Sequence, residues 1–348
     1  MTRRHPLHVA VAATASILMS AVLLAACGGG GLEAGGSLDP AKLTIYSAQH
    51  KDLTEQWATA FQDETGIDVQ IRYGSDSSMA AQLVTEGSRS AADVFLTENS
   101  PAMTTVSRDG LLAAVDPATI AQVGPDHVPS SHDWVGIAAR ATVLVYNPSK
   151  VSDAELPTSL MDLAKPEYAG RWGAAAGGAD FQAIVSAVLA TKGEDATKSW
   201  LAALKSGAKI YQNNIATMKA VNSGQVPMGV IYHYYWYRDQ ALEKASSGNT
   251  KLHYFKHQDP GAFVSLSGGG VLKSSKHAAD AQKFLAFLTG SKGQQILASS
   301  DAMEYAVGRG VASDPALPPL DSLEAPKIDP FTLNGPKVIE LMTQAGIL

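Results

Sequence analysis

An α/β fold with a mostly parallel sheet covered on both faces is what this sequence predicts, on two observations. Short β-branched or aromatic runs alternate with helix-period segments, the pattern that gives parallel strands with helices packed against them. The chain has 348 residues, 45% hydrophobic and 17% charged, a globular balance whose length favours two domains or one large bilobal unit.

The elements follow in order. Leu43-Thr44-Ile45-Tyr46-Ser47 is the first strand, and the apolar spacing of Leu53, Trp57 and Phe61 predicts a helix that stops at Gly66. Residues 69–73 alternate as a second strand. Ser75 to Ser78 offer N-cap oxygens for a helix through Met79, Leu83 and Val84. Ala92-Asp93-Val94-Phe95-Leu96 reads as a buried strand, and Pro101 suits the first turn of the helix after it. Beyond a Pro-punctuated passage to 133, residues 141–146 (ATVLVY) form a strand, 160–164 a short helix and 172–175 a strand. Helices are predicted over 181–191 and 196–206, a short strand at 210–211, and a helix over 215–221 capped by Asn213-Asn214. Residues 226–231 form a strand and 235–244 a helix; 261–272 supply strands, and 278–288 and 292–297 two helices. A proline-rich tail over 315–330 wraps the surface before a last helix at 336–345.

The first 26 residues stand apart from this fold. Arg3 and Arg4 make a basic start, residues 9–26 are apolar, and Leu24-Ala25-Ala26-Cys27 closes the run with small residues before a cysteine. This is a secretory signal, and its end resembles the lipobox of bacterial lipoproteins, which implies cleavage before Cys27 and acylation of that residue. An uncleaved membrane anchor is the rival reading, but Thr14, Ser16 and Ser20 interrupt a run that is short for a full span. Cys27 is the chain's one cysteine, so no internal disulfide is expected. Glycine-rich residues 27–41 read as a flexible tether. Removing residues 1–26 takes two arginines and no acid, moving the formal charge from −6 to −8, which makes nucleic acid an unsuitable partner.

In open α/β sheets, ligands bind beyond the carboxyl ends of strands. Three polar features fall there: His50, Glu98, and the pair Tyr234-Tyr235 within the run Val230-Ile231-Tyr232-His233-Tyr234-Tyr235-Trp236-Tyr237. Each has a plainer reading: a surface imidazole, a carboxylate complementing a helix dipole, and an aromatic core cluster. Adjacent phenols can share one ion only where a strand turns into a helix, because neighbours on a strand point to opposite faces. A phenolate is a hard oxygen ligand suited to a highly charged cation. Two phenolates and one carboxylate balance a trivalent ion, with His50 adding a neutral nitrogen; zinc more typically takes cysteine or several histidines, and calcium several carboxylates. Ferric iron fits this set best. A second group suits an anion: Gly177-Gly178-Ala179 before a helix, with Asn99 and Asn214 at other helix starts, although the glycines alone are equally explained by a tight turn.

Several separated blocks give this chain a family likeness: Tyr46-Ser47-Ala48-Gln49-His50-Lys51, Glu64-Thr65-Gly66-Ile67, Ala92-Asp93-Val94-Phe95-Leu96-Thr97-Glu98, Tyr234-Tyr235-Trp236-Tyr237 and His257-Gln258-Asp259-Pro260-Gly261-Ala262. Over residues 43–348 it resembles the bacterial ferric-ion-binding proteins of iron(III) ABC importers. The resemblance implies a two-lobed periplasmic-binding-protein type II fold, each lobe a mixed sheet flanked by helices, with the ligand cleft between lobes and a ligand logic shared with transferrin. It implies Fe3+ held by His50, Glu98, Tyr234 and Tyr235, and a synergistic anion, carbonate or phosphate, held by Asn99, Gly178, Ala179, Asp180 and Asn214. The loop departs from the family pattern: where some members have Ser-Gly-Ala, this chain has Gly178-Ala179-Asp180, a carboxylate gained and a hydroxyl lost. Tyr232 and His233 replace amides found in some relatives.

The expected organisation is lobe 1 over 42–140 plus 265–313 and lobe 2 over 141–264 plus 314–348, with crossings near Arg140 and Val264. The expected protein is a monomeric lipoprotein on the outer face of the cytoplasmic membrane that closes on Fe3+ by hinge motion and delivers it to an ABC permease. One rival is a receptor for a small organic or metal-chelate ligand that uses the tyrosines as an aromatic box. The other, an envelope hydrolase using His50 and Glu98, lacks any nucleophile-base motif.

Overall fold

The computed structural model describes residues 38–348, so the secretory signal, Cys27 and most of the tether lie outside the described residues. The chain runs β1 (Leu43–Ser47), α1 (Lys51–Thr65), β2 (Val69–Tyr73), α2 (Asp76–Glu86), β3 (Val94–Leu96), α3 (Ser100–Arg108), α4 (Pro117–Ile120) and β4 (Val135–Tyr146). It continues through β5 (Trp172–Ala174), α5 (Ala179–Lys192), α6 (Glu194–Gly207), β6 (Ala208–Ile210), α7 (Asn214–Asn222), β7 (Met228–Tyr232) and α8 (His233–Ala241). It ends with β8 (Lys251–His253), β9 (Val264–Val271), α9 (Ala278–Thr289), α10 (Ser291–Ser299) and α11 (Gly335–Gln344).

The strands follow the order β2-β1-β3-β9-β4-β7-β5-β6, with β8 also on β4. Pairing is parallel at the two ends (β2 and β3 on β1, β6 and β7 on β5) and antiparallel through the middle, where β9 and β4 run between them. The mostly parallel sheet expected from alternation is therefore corrected to a mixed one. The cause is that β4 and β9 are not βαβ strands but long connections that pass from one half of the molecule to the other. The first part of β4 pairs with β9 (Ala141 opposite Val264) and its second part with β7 (Thr142 opposite Tyr232). Only 141–146 is legible as a strand in the sequence, because Gly136, the alanines and Arg140 dilute the apolar signal of a segment that is buried throughout.

Two main cores flank that crossing. One gathers Ile45, Trp57, Phe61, Phe95, Trp134 and Phe284; the other gathers Trp172, Phe181, Trp200, Leu204 and Met342. Buried indoles in both cores find partners: Trp57 Nε1 donates to the Gly293 carbonyl at 2.8 Å, and Trp200 Nε1 to the Leu160 carbonyl at 3.1 Å. The segment after α10 divides between the cores, with Leu317 and Leu323 in the first and Val338, Leu341 and Met342 in the second.

Helix α1 ends as its glycine demands, with Gly66 left-handed at φ 71. Ser75 and Ser78 form a reciprocal capping box on α2. Helix α8 departs from expectation, beginning at His233 rather than Tyr235 and ending at Ala241. Strand β8 carried no sequence signal. Among the described residues, no helix is long and apolar enough to cross a membrane.

Candidate metal centre

The site is assembled from the starts of helices. His50 is the N-cap of α1, Glu98 and Asn99 lie between β3 and α3, Asp180 is in the first turn of α5, Asn214 opens α7, and Tyr234 and Tyr235 are in the first turn of α8. Each helix presents the positive end of its dipole to the same region, which favours anionic ligands there. Because α8 already starts at His233, the two tyrosines are consecutive helical positions rather than a strand-end pair. Their rings lie on one side with centroids 4.1 Å apart.

His50, Glu98, Tyr234 and Tyr235 converge as neighbours. The His50 ring meets Tyr234 edge-on with centroids 5.1 Å apart, and its Nδ1 lies 3.5 Å from Glu98 Oε1. The Tyr234 hydroxyl is fully buried and has no hydrogen-bond partner, an unusual cost unless another species completes it. Burial pushes both phenols well above their ordinary range, and the Asp180 charge adds to the effect. A free phenolate is thus disfavoured, and a strong cation must do the deprotonating.

Asp180 sits where the sequence led to an expected external anion. Its Oδ1 accepts from Asn99 Nδ2 at 2.9 Å; its Oδ2 accepts from Asn214 Nδ2 at 2.8 Å and from the Tyr235 hydroxyl at 3.1 Å. The Gly178 N–H is engaged with the Ala175 carbonyl at 2.9 Å, and Ala179 begins α5. Both asparagines expected to hold an anion therefore spend a side-chain donor on a carboxylate of the chain itself.

Three charged residues of the site escaped sequence reasoning. Arg140, wholly buried in the middle of β4, reaches Glu98 at 3.6 Å, Asp180 at 3.9 Å and Glu304 at 2.8 Å, with its guanidinium 5.0 Å above the Tyr234 ring. Its signal was available as the one charge in an otherwise apolar strand. Glu304 and Asp76 carried no comparable mark. Asp76 accepts the Glu98 N–H at 2.9 Å and Asn99 Nδ2 at 3.2 Å.

Four carboxylates around one guanidinium leave an excess of negative charge, and the titration of the group reflects it. Burial pushes Glu98 up to about 8; Arg140 opposes this, and Asp180, Asp76 and Glu304 reinforce it. Burial likewise raises Asp76 to about 6, against the Glu98 N–H that it accepts. Burial would raise Glu304 too, but Arg140 and His50 outweigh it and hold that carboxylate at about 2. His233 is engaged with its own neighbours: its Nδ1 accepts the Ala141 N–H at 3.1 Å, its ring stacks on Tyr305 and meets Tyr234 edge-on with centroids 6.2 Å apart, and burial lowers it to about 3. Tyr232 is fully buried beside Tyr234, with ring centroids 6.5 Å apart. Among the described residues, no set of three or more His, Cys, Asp or Glu side chains is arranged to hold a metal.

A mixed two-lobed sheet with a polar site at converging helix starts defines a class of ligand receptor, and the chain belongs to the bacterial extracellular solute-binding protein family, whose model matches residues 89–331. Within that class, several relatives are named for binding ferric iron. It is 59% identical to the Fe(3+)-binding periplasmic protein of Serratia marcescens, over 88% of this chain and 90% of that one. It is 36% identical to the major ferric iron-binding protein of a serogroup B strain of Neisseria meningitidis, over 88% and 93%. Iron-bound HitA from Pseudomonas aeruginosa superposes with a TM-score of 0.81 at 44% identity, covering 88% of this chain and all of that one. These are transport components rather than enzymes, and the hydrolase reading falls away.

Proposed function

We propose that this protein captures Fe3+ outside the cytoplasm and hands it to an ABC permease, with His50, Glu98, Tyr234 and Tyr235 as ligands and the Asp180 carboxylate in the place of an exogenous carbonate or phosphate. The observation that carries the reading is the buried, unpartnered Tyr234 hydroxyl beside a second phenol, an imidazole and an excess of carboxylates. Two phenolates and Glu98 neutralise the trivalent ion. Asp180 and the ionised Glu304 add negative charge that the single Arg140, 3.9 Å from one and 2.8 Å from the other, offsets only in part. The hydrogen bonds from Asn99, Asn214 and Tyr235 to Asp180 support the internal carboxylate over an external anion.

The ligand assignment extends to the whole molecule. The two cores define two lobes that close on the ion about β4 and β9, Leu317 to Leu323 travelling with the first lobe and α11 with the second. Acylated Cys27 anchors a monomer to the membrane through the glycine-rich tether. Capture displaces the protons of two phenols and, near neutral pH, that of Glu98, so affinity falls steeply in acid.

The test is reconstitution with ferric nitrilotriacetate. One Fe3+ binds per chain with a visible phenolate-to-iron band, and Tyr235→Phe weakens binding at least about tenfold and diminishes the band. An unchanged band and affinity in Tyr235→Phe sinks the assignment, and a colourless protein that retains a small organic molecule favours the aromatic-box reading.

A further inference from the structure

We propose that Glu304 is a positioning residue for metal capture: it holds one imidazole nitrogen of His50 so that the other faces the metal beside Glu98. The inference rests on the reading of His50 as a ligand. Glu304 is wholly buried, far from His50 in sequence, and its Oε1 lies 3.2 Å from His50 Nε2, a close charge contact in which neither atom has an aligned hydrogen-bond partner, and 2.8 Å from Arg140 Nη2. Its Oε2 accepts from Ser267 Oγ at 3.2 Å. The opposite side of the imidazole, Nδ1, is the one turned to Glu98.

The backbone around Glu304 is built to keep it there. Met303 adopts a left-handed φ of 53, a conformation an unbranched L residue takes at a cost. Tyr305 is locked to Ala139 of β4 by two backbone hydrogen bonds, of 3.0 and 2.9 Å. A carboxylate on a ligating imidazole fixes its tautomer and ring orientation and raises its basicity. The plainer role is charge compensation for Arg140 alone. The contact to His50 distinguishes the two, because only the positioning role passes through the imidazole.

The experiment is a double-variant cycle of Fe3+ affinity, by competition with nitrilotriacetate, on His50→Ala, Glu304→Ala, Glu304→Gln and the Glu304→Ala/His50→Ala pair. Glu304→Ala is expected to weaken binding ~10–100-fold. Glu304→Gln weakens it ~threefold to tenfold, since an amide oxygen still turns a partial negative charge to the imidazole in place of the full one. Once His50 is gone, removing Glu304 costs less than about threefold more. A full repeat of the Glu304→Ala loss on the His50→Ala background overturns the proposal, as does wild-type affinity in both Glu304 variants. Thermal unfolding of each metal-free variant reports folding, and where Glu304→Ala does not fold, Glu304→Gln carries the same cycle. Unchanged affinity in His50→Ala overturns the ligand assignment and the proposal together, a result separable from failure at Glu304 alone.

Discussion

On the proposed reading, a carboxylate that accepts hydrogen bonds from two asparagines and a tyrosine stands in for a bound carbonate, and it carries no binding cost in solution. Asp180 is such a group. Wild-type protein is therefore expected to bind Fe3+ equally well in buffers stripped of bicarbonate and phosphate. Asp180→Asn should lose affinity at least ~tenfold and regain part of it when bicarbonate or phosphate is added, measured by chelator competition in the two buffers. An anion requirement in the wild type overturns this. At this scale the sequence was partly readable. His50, Glu98 and the tyrosine pair each follow a strand, where ligands gather, and the presence of Asp180 at the start of α5 was visible as a departure from the family pattern. What that carboxylate does was not visible, since it depends on amides that lie 81 and 34 residues away along the chain.

Helix α8 shows how an element turns spacing into chemistry. On a strand, Tyr234 and Tyr235 would face opposite ways; in the first helical turn they stand side by side with the dipole's positive end behind them. The boundary was misread by two residues because a run of aromatics has no helical periodicity and Tyr232 offers no capping oxygen. Other elements were legible for clear reasons: α1 has a regular apolar stripe and a glycine stop, and α6 has Trp200, Leu201 and Leu204 buried on one side. Trp200 stacks near Trp172 and Phe181, with ring centroids at 6.3 and 5.9 Å. Trp200→Ala is expected to destabilise the protein by about 3–5 kcal/mol, read by chemical denaturation. A loss below about 1 kcal/mol would show that α6 is not tied to the core as described.

For the molecule as a whole, the excess of carboxylates makes the metal-free protein's stability depend on pH in an uncommon direction. Glu98, raised to about 8 from an ordinary 4.5, keeps a proton in the folded state that the unfolded chain has lost, so stability falls as pH rises between those values. Asp76, raised from 3.8 to about 6, acts with the same sign over its own window. Glu304, held at about 2, works the other way: its contribution is complete above 4.5 and is lost as pH falls through about 2. Between pH 6.5, above which His233 is largely neutral in either state, and pH 8, chelator-treated protein should thus lose stability, and Glu98→Gln should shrink that difference, compared by denaturant midpoints at the two values. A difference that survives intact in Glu98→Gln removes Glu98 as its source.

The crossing of β4 and β9 also sets a schedule for synthesis. Strand β3 and the first half of β4 both pair with β9, which begins only at Val264. From the moment Ala141 is made until Val271 follows it, the earlier part of the chain carries two open sheet edges that nothing nearer in sequence pairs with in the finished fold. Unpaired edges invite association with other chains.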